Sequence, residues 1–107
     1  MRVFINLVKN GLQSIPEGRE GVIRIGLETD THGMVKVTIA DNGKGIPEEI
    51  REKLFQPNFT TKSGGMGMGL AITYNIIRSL GGRIWYDTVL HQGTTFHVEL
   101  PESLEKR

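Results

Sequence analysis

The stretch VKVTIADNGKGI, residues 35–46, decides the fold. Val35, Val37 and Ile39 alternate with other residues at the period of a strand that buries one face. The strand ends at Asp41, where two glycines allow a tight turn. A carboxylate beside two glycines can accept a hydrogen bond from an amino group of a ligand. The stretch therefore predicts a ligand contact at the end of a sheet.

The neighbouring sequence supplies a partner for this strand. Ile23, Ile25 and Leu27 alternate in the same way and predict a half-buried strand. The polar residues of positions 30–33 make the turn, so the two segments form a hairpin. Two further strands are predicted at 83–86 and 94–100, where apolar and polar residues again alternate.

Helical spacing predicts the remaining elements. Apolar residues recur with a helical period from the first residue until Pro16, and Pro47 begins a short helix. An amphipathic helix is expected from Gly69 to about residue 80, with an inward face made of Leu70, Ile72, Ile76, Ile77 and Leu80. The order of elements favours an α+β fold, a two-layer α/β sandwich with helices on one face of a mixed, largely antiparallel sheet.

Length and composition limit the classes of function that are possible. A chain of 107 residues predicts one domain, residues 1–107. Because 13 basic residues face 12 acidic ones, giving a net charge of +1, a nucleic-acid partner is disfavoured. The absence of cysteine excludes disulfides and zinc ribbons. No apolar run approaches the ~20 residues of a membrane span, so we expect no membrane contact by this segment and a cytoplasmic location, with the anchoring of a parent protein left open.

Two more clusters accompany the Asp41 turn. Asn6 and Asn10 lie four residues apart in the first predicted helix, so they share one face. Asparagine oxygens suit a magnesium ion. The glycine-rich stretch of residues 65–70 leads into the next helix, where bare amides can face phosphate. Together the three clusters predict a nucleotide pocket.

These residues resemble the five boxes of sensor histidine kinases. Residues 6–11 resemble the N box, 41–46 the first glycine box, 54–62 the F box, 65–70 the second glycine box and 92–96 the third glycine box. The resemblance covers most of the chain and is to the catalytic, ATP-binding domain of the GHKL superfamily. It implies a Bergerat fold, and the short segment of residues 59–62 is most like the lid of nitrogen-regulatory and sporulation-type kinases.

The resemblance implies roles for individual residues. Asn10 supplies its oxygen to magnesium, Asn6 and Lys9 lie toward the phosphates, and Asp41 reads adenine while Gly43 and Gly45 let backbone approach the base. The other implied nucleotide-binding residues are Ile46, Lys62, Gly65, Met66, Gly67, Met68, Gly69, Leu70 and Thr94. From the residues alone, Lys62 is equally well an ordinary surface lysine, and the methionines are expected to be apolar lid contacts. The implied ligands are ATP or ADP with magnesium.

One position separates the branches of the superfamily. Members that hydrolyse ATP carry a glutamate four residues before the magnesium asparagine, and here that position is Asn6. An amide cannot act as a general base. The resemblance therefore implies a protein-histidine kinase that donates the γ-phosphate to a histidine on the parent's dimerisation domain, with a response regulator downstream. The alternatives are a GHKL ATPase, an anti-sigma-type serine kinase, or an interaction module of the same fold without nucleotide.

Other phosphate-binding signatures fail, and the chain departs from its family in two places. Neither the Walker A loop nor the dinucleotide fingerprint fits the glycine spacing. Gly11 stands where the family usually has alanine, and Asn58 where it usually has an aromatic residue. Because a helix begins where the chain begins, we expect a fragment that lacks an upstream strand and the histidine-bearing dimerisation domain.

Overall fold

The computed structural model describes residues 2–30, 32–56 and 66–101. Its elements in chain order are α1 (Arg2–Gln13), β1 (Ile23–Thr29), β2 (Met34–Asp41), a 3₁₀ helix (Glu48–Lys53), α2 (Met66–Ser79), β3 (Arg83–Val89) and β4 (Gly93–Pro101). The four strands form one sheet in the order β1-β2-β4-β3, and each neighbouring pair is antiparallel. The predicted hairpin of β1 and β2 is confirmed, as is the two-layer arrangement.

Both α-helices cover the same face of the sheet. The inward residues of β4 alternate with half-buried ones along the whole strand. They meet the helices in one hydrophobic core whose buried members are Val3, Leu7, Ile39, Leu54, Leu70, Ile77, Ile84, Phe96, Val98 and Leu100. None of the helices within the described ranges is long and apolar enough to cross a membrane.

The hairpin turn and the end of α2 use side-chain and glycine chemistry. Asp30 Oδ1 accepts hydrogen bonds from the amides of His32 (2.8 Å) and Met34 (3.0 Å), which replaces the turn's missing backbone partners. At the same end of the sheet, next to Pro101, Gly81 has a φ of 84° and its amide donates to the carbonyl of Arg78. The left-handed glycine satisfies a carbonyl of the last helical turn and ends α2, as the sequence predicts.

Three sequence expectations are wrong in detail. Ile25 and Leu27 are 64% and 70% exposed although they point to the helical face, because β1 is the edge strand and no described helix reaches over them. Ile72 is 44% exposed, so it does not belong to the inward face of α2. The same helix begins at Met66 and not at Gly69, since glycine weakens a helix without preventing its first turn.

Candidate nucleotide-binding site

Asp41 ends β2 with one carboxylate oxygen fully engaged. Its Oδ1 accepts hydrogen bonds from the amide of Gly43 at 2.8 Å, the hydroxyl of Ser14 at 3.2 Å and the amide of Thr94 at 3.3 Å. The side chain is half-buried. Three donors on one oxygen fix the side-chain rotamer. The carboxylate is therefore held in one orientation at the end of the sheet.

The loop after α1 clamps the Asp41 turn, residues 41–46, from one side. Arg19 donates from Nη1 to the carbonyls of Asn42 (2.6 Å) and Gly43 (2.9 Å). The side chain of Asn42 returns the contact, accepting from the amide of Val22 at 2.8 Å and donating to the carbonyl of Glu20 at 3.0 Å. This reciprocal pairing ties a loop without secondary structure to the turn.

Ser14 makes the closest approach from the same loop. Its carbonyl accepts from the amide of Lys44 at 2.9 Å. A Cβ on Gly43 would overlap the Ser14 hydroxyl and would lie 2.7 Å from the Ser14 carbonyl oxygen. Glycine at position 43 is therefore required by the packing of the chain itself. From the sequence, this glycine was expected only to let the backbone approach a base.

The loop between β3 and β4 closes the other side. Gly45 has a φ of 77°, and a Cβ there would lie 2.6 Å from the carbonyl oxygen of Val89. The amide of His91 donates to the carbonyl of Lys44 at 2.7 Å. Only glycine fits both the backbone angle and the contact, so the turn is enclosed by main chain on two sides.

The hydroxyl of Thr88 joins this loop to the exit of the turn. It accepts from the amide of Ile46 at 3.0 Å and lies 3.2 Å from the carbonyl of Gly93 and 2.9 Å from the hydroxyl of Thr94. Since a hydroxyl carries one proton, Thr88 donates to Gly93 while Thr94 donates to Thr88. Thr94 thus contributes its amide to Asp41 and its hydroxyl to Thr88, and it is 6% exposed.

A cluster of three aromatic rings is linked through Arg51 to the end of the Asp41 turn. Phe55, which follows the 3₁₀ helix, stacks on Tyr74 of α2 with ring centroids 5.2 Å apart and meets Tyr86 edge-on at 6.1 Å. The hydroxyl of Tyr86 donates to the carbonyl of Arg51 at 3.4 Å, and Arg51 donates to the carbonyl of Ile46 at 2.9 Å. Burial raises the pKa of the Tyr86 phenol, against a smaller opposing effect of the Arg51 charge.

The C-terminal part of α1 packs against this turn. Gly11 is buried, and a Cβ there would lie 3.3 Å from Cβ of Asp41, so the residue after Asn10 packs directly on the carboxylate-bearing side chain. Asn6 is half-buried and donates from Nδ2 to the hydroxyl of Thr73 on α2, at a long 3.5 Å. Lys9 is exposed. The N-box helix therefore lies between the Asp41 turn and α2.

Asn10 is suited to hold a metal ion. It is 8% exposed, and its side-chain Nδ2 is buried without a hydrogen-bond partner among the described residues. Amide oxygen and nitrogen exchange places by a half-turn of the side-chain amide, so either end can face a ligand. A buried, under-used amide whose oxygen is a hard donor fits magnesium. Within the described residues no group of three or more histidine, cysteine or acidic residues offers a competing metal site.

The second glycine box is only partly described. Met66, Gly67, Met68, Gly69 and Leu70 form the first turn and a half of α2. Leu70 is 1% exposed and belongs to the core, so its side chain packs and only its backbone is available to a ligand. Lys62 and Gly65, the lid of residues 59–62 and the departure at Asn58 lie outside the described residues.

Three contributors to the site escaped sequence reasoning. Ser14, Arg19 and Thr88 all bond to the Asp41 turn from positions more than 20 residues away along the chain. Ser14 falls at the end of the stretch with helical spacing, just beyond the observed end of α1. Arg19 lies in a segment without periodicity, and threonine at position 88 is an ordinary strand residue. The one available signal was the glycine at position 43, which indicates a close approach without naming the partner.

The chain is similar to known proteins over nearly its whole length. The family model described as histidine kinase-, DNA gyrase B-, and HSP90-like ATPase matches residues 1–104. Sporulation kinase A of Bacillus subtilis (strain 168) is 42% identical over 101 residues, which are 94% of this chain but 16% of that kinase. The chain thus spans about a sixth of the length of this relative.

Solved structures are similar over nearly the whole chain. The nucleotide-free catalytic domain of histidine kinase ThkA matches with a TM-score of 0.80 and 42% identity, covering 99% of this chain and 68% of that one. The complex of ThkA with response regulator protein TrrA matches with a TM-score of 0.73 and 39% identity, over 99% of this chain and 29% of the ThkA chain.

Proposed function

This chain belongs to the histidine kinase-, DNA gyrase B-, and HSP90-like ATPase family, as a histidine kinase ATP-binding domain of two-component sensors, and we propose that it binds Mg-ATP and donates the γ-phosphate to a histidine on the parent kinase's dimerisation domain. The observation that carries the proposal is the packing of the Asn10 helix against the fixed carboxylate of Asp41. A metal-binding amide and a base-reading carboxylate then serve one nucleotide.

At the base end, Asp41 is the proposed reader of adenine. Its Oδ1 is occupied by three donors, so Oδ2 is the oxygen left to accept from the exocyclic amino group. Guanine presents a carbonyl at the same place, and two acceptors cannot share a hydrogen bond. The carboxylate therefore selects adenine by chemistry.

At the phosphate end, Asn10 would hold magnesium together with the phosphates of the nucleotide. Asn6 and Lys9 would lie toward the same phosphates. When bound, the ion neutralises phosphate charge and thereby lowers the barrier to phosphoryl transfer. The amide nitrogen of Asn10, which has no hydrogen-bond partner among residues 2–30, 32–56 and 66–101, supports this role. The start of α2 adds backbone amides and the positive end of a helix dipole.

Transfer is favoured over hydrolysis because of Asn6. In this position a glutamate would activate water, whereas the amide of Asn6 donates to Thr73 and has no basic lone pair to offer. ATP then waits for a positioned nucleophile, which we propose is a histidine on another domain. Because the chain is only 16% of its sporulation-kinase relative, that domain and a response regulator are proposed partners; the ThkA–TrrA complex is a precedent for the second.

The test is phosphotransfer in trans. The 107-residue chain is mixed with the histidine-bearing domain of its parent and ATP labelled in the γ-phosphate. We expect label on the partner that is lost in acid and kept in alkali, as for a phosphoramidate. Asn10→Ala should abolish the label, while the matched variant Asn75→Ala, at an exposed asparagine of α2, should keep it.

Three results would decide against the proposal. Brisk ATP hydrolysis by the chain alone would favour the ATPase alternative. An acid-stable label on a serine would favour the serine kinase. Failure to bind ATP or ADP at all would favour the interaction module.

A further inference from the structure

We propose that Ser14 is a positioning residue for base recognition, because its hydroxyl holds Oδ1 of Asp41 and leaves Oδ2 for the exocyclic amine. The inference rests on the proposed function, since it presumes that Asp41 reads adenine. Ser14 lies just beyond the end of α1 and is half-buried. Nothing in its own sequence neighbourhood predicts the contact, which spans 27 positions.

The two oxygens of Asp41 have different surroundings. Oδ1 accepts from Ser14, Gly43 and Thr94. Oδ2 accepts no hydrogen bond from the described residues, and it lies 3.5 Å from the point that a Cβ on Gly11 would occupy. The two amides come from backbone, so they set where Oδ1 is. The hydroxyl of Ser14 is the side-chain donor among these three, and it comes from the loop that follows α1.

The proton of Ser14 has two acceptors within reach. Its hydroxyl oxygen lies 2.9 Å from the carbonyl of Gly11 and 3.2 Å from Oδ1 of Asp41. The Gly11 carbonyl already accepts from the backbone amide of Ser14 at 3.2 Å. If the proton pointed only to Gly11, a hydroxyl lone pair would face an anionic oxygen. The charged acceptor therefore draws the proton, at least as one branch of a shared bond.

Removing the hydroxyl leaves the loop in place. The carbonyl of Ser14 stays bonded to the amide of Lys44, and Arg19 still holds the carbonyls of Asn42 and Gly43. Ser14→Ala therefore changes the support of the carboxylate and not the path of the chain. The contact depends on glycine at position 43, because a Cβ there would overlap the hydroxyl.

The experiment compares two ligands in three proteins by calorimetry. ADP carries the exocyclic amine, and purine riboside diphosphate is the same molecule without it. For the parent chain ADP should bind more tightly. Ser14→Ala should weaken ADP about three- to tenfold, the effect of one hydrogen bond, and leave purine riboside diphosphate unchanged. Ser14→Thr keeps a hydroxyl and should restore the preference for ADP.

The outcomes separate this inference from the function beneath it. If the parent binds both ligands equally, Asp41 does not read the amine and the proposed function fails at its base end. If the parent prefers ADP and Ser14→Ala keeps the full preference, or loses both ligands equally, the positioning role alone is overturned. Should Ser14→Ala fold too poorly to measure, Ser14→Cys, whose thiol is a weak donor, must show a reduced preference for ADP, and an undiminished one overturns the role.

Discussion

Gly43→Ala tests whether the Asp41 turn is built by main-chain packing against Ser14. No positive φ is found at Gly43, so alanine is acceptable to the backbone there and only the contact is at issue. The new Cβ would overlap the Ser14 hydroxyl and lie 2.7 Å from the Ser14 carbonyl oxygen. That carbonyl must recede by about 0.7 Å to reach the 3.4 Å of an ordinary contact.

The cost follows from the bonds that this shift breaks. Ser14 would lose the backbone bond to Lys44, worth about 0.5–1.5 kcal/mol, and the bond to the Asp41 carboxylate, worth about 1.5–3 kcal/mol. Restriction of the unfolded chain by alanine returns about 0.4–1 kcal/mol. We expect a net loss of about 1–4 kcal/mol, which lowers the melting temperature by roughly 4–8 °C for each kcal/mol in a domain of this size.

Gly21→Ala is the matched control. Gly21 also has no positive φ and is exposed. Its added Cβ would be crowded by Cδ1, the end of the Ile15 side chain, which can turn away, while Cγ2 and Cγ1 of Ile15 lie at 3.4 and 3.6 Å, an ordinary contact distance. Both variants and the parent are unfolded with urea and followed by circular dichroism. Gly43→Ala should be much less stable than Gly21→Ala and should bind ADP weakly. Equal free energies of unfolding for the two variants, within about 0.5 kcal/mol, would refute the packing argument.

Three further predictions address the metal and two titrating groups. Asn10→Ala should remove most of the magnesium dependence of ADP binding, which calorimetry with and without magnesium measures against Asn75→Ala; an unchanged dependence would assign the metal to another residue. Hydrogen bonds from the backbone amides of Met34, the larger effect, and His32 lower the pKa of Asp30 below its ordinary 3.8. The stability that Asp30 contributes is therefore present above pH 3.8 and is lost as pH falls through the folded pKa. Asp30→Asn, which keeps the acceptor oxygen, should flatten this part of the acid unfolding curve, and a curve equal to the parent's would contradict the assignment. Burial raises the pKa of Tyr86 above its ordinary 10.0, so the stability of the folded chain should fall as pH rises from that value through the folded pKa. The absorbance of the Tyr86 phenolate should appear at higher pH in the folded chain than in urea. Titration at the same pH in both states would contradict the burial of the ring.

Periodicity predicted the elements because it reports which way a side chain points. Ile39 and Phe96 are paired neighbours on adjacent strands and both are buried, as alternation requires. The same alternation failed for Ile25 and Leu27 because pointing toward a face does not say whether anything covers that face at its edge. Coverage is a property of the tertiary arrangement, and a single strand carries no record of it.

In the candidate site too, the sequence predicted what is local along the chain and missed the contacts that come from distant residues. Asp41 could be predicted because a strand, a carboxylate and a glycine turn follow one another in the sequence. The clamp around it could not, since Arg19 and Thr88 reach the turn from loops and strand positions that have no distinguishing local pattern. Even the glycines were predicted with an incomplete reason: Gly43 is in contact with Ser14, whereas the sequence alone gives it only a ligand as neighbour.

The two ends of the proposed nucleotide pocket are prepared in different ways. At Asp41 the donors, the turn and the loops on both sides are bonded to one another within the protein, so little reorganisation remains when a base binds. At Asn10 a buried amide nitrogen has no partner within the part of the chain that the structure describes, so that end has a contact still to be made when a ligand binds. Base recognition should therefore survive without metal, whereas phosphate binding should not. This asymmetry suits a phosphate donor, because the end that must release its product is the one that depends on a second ligand.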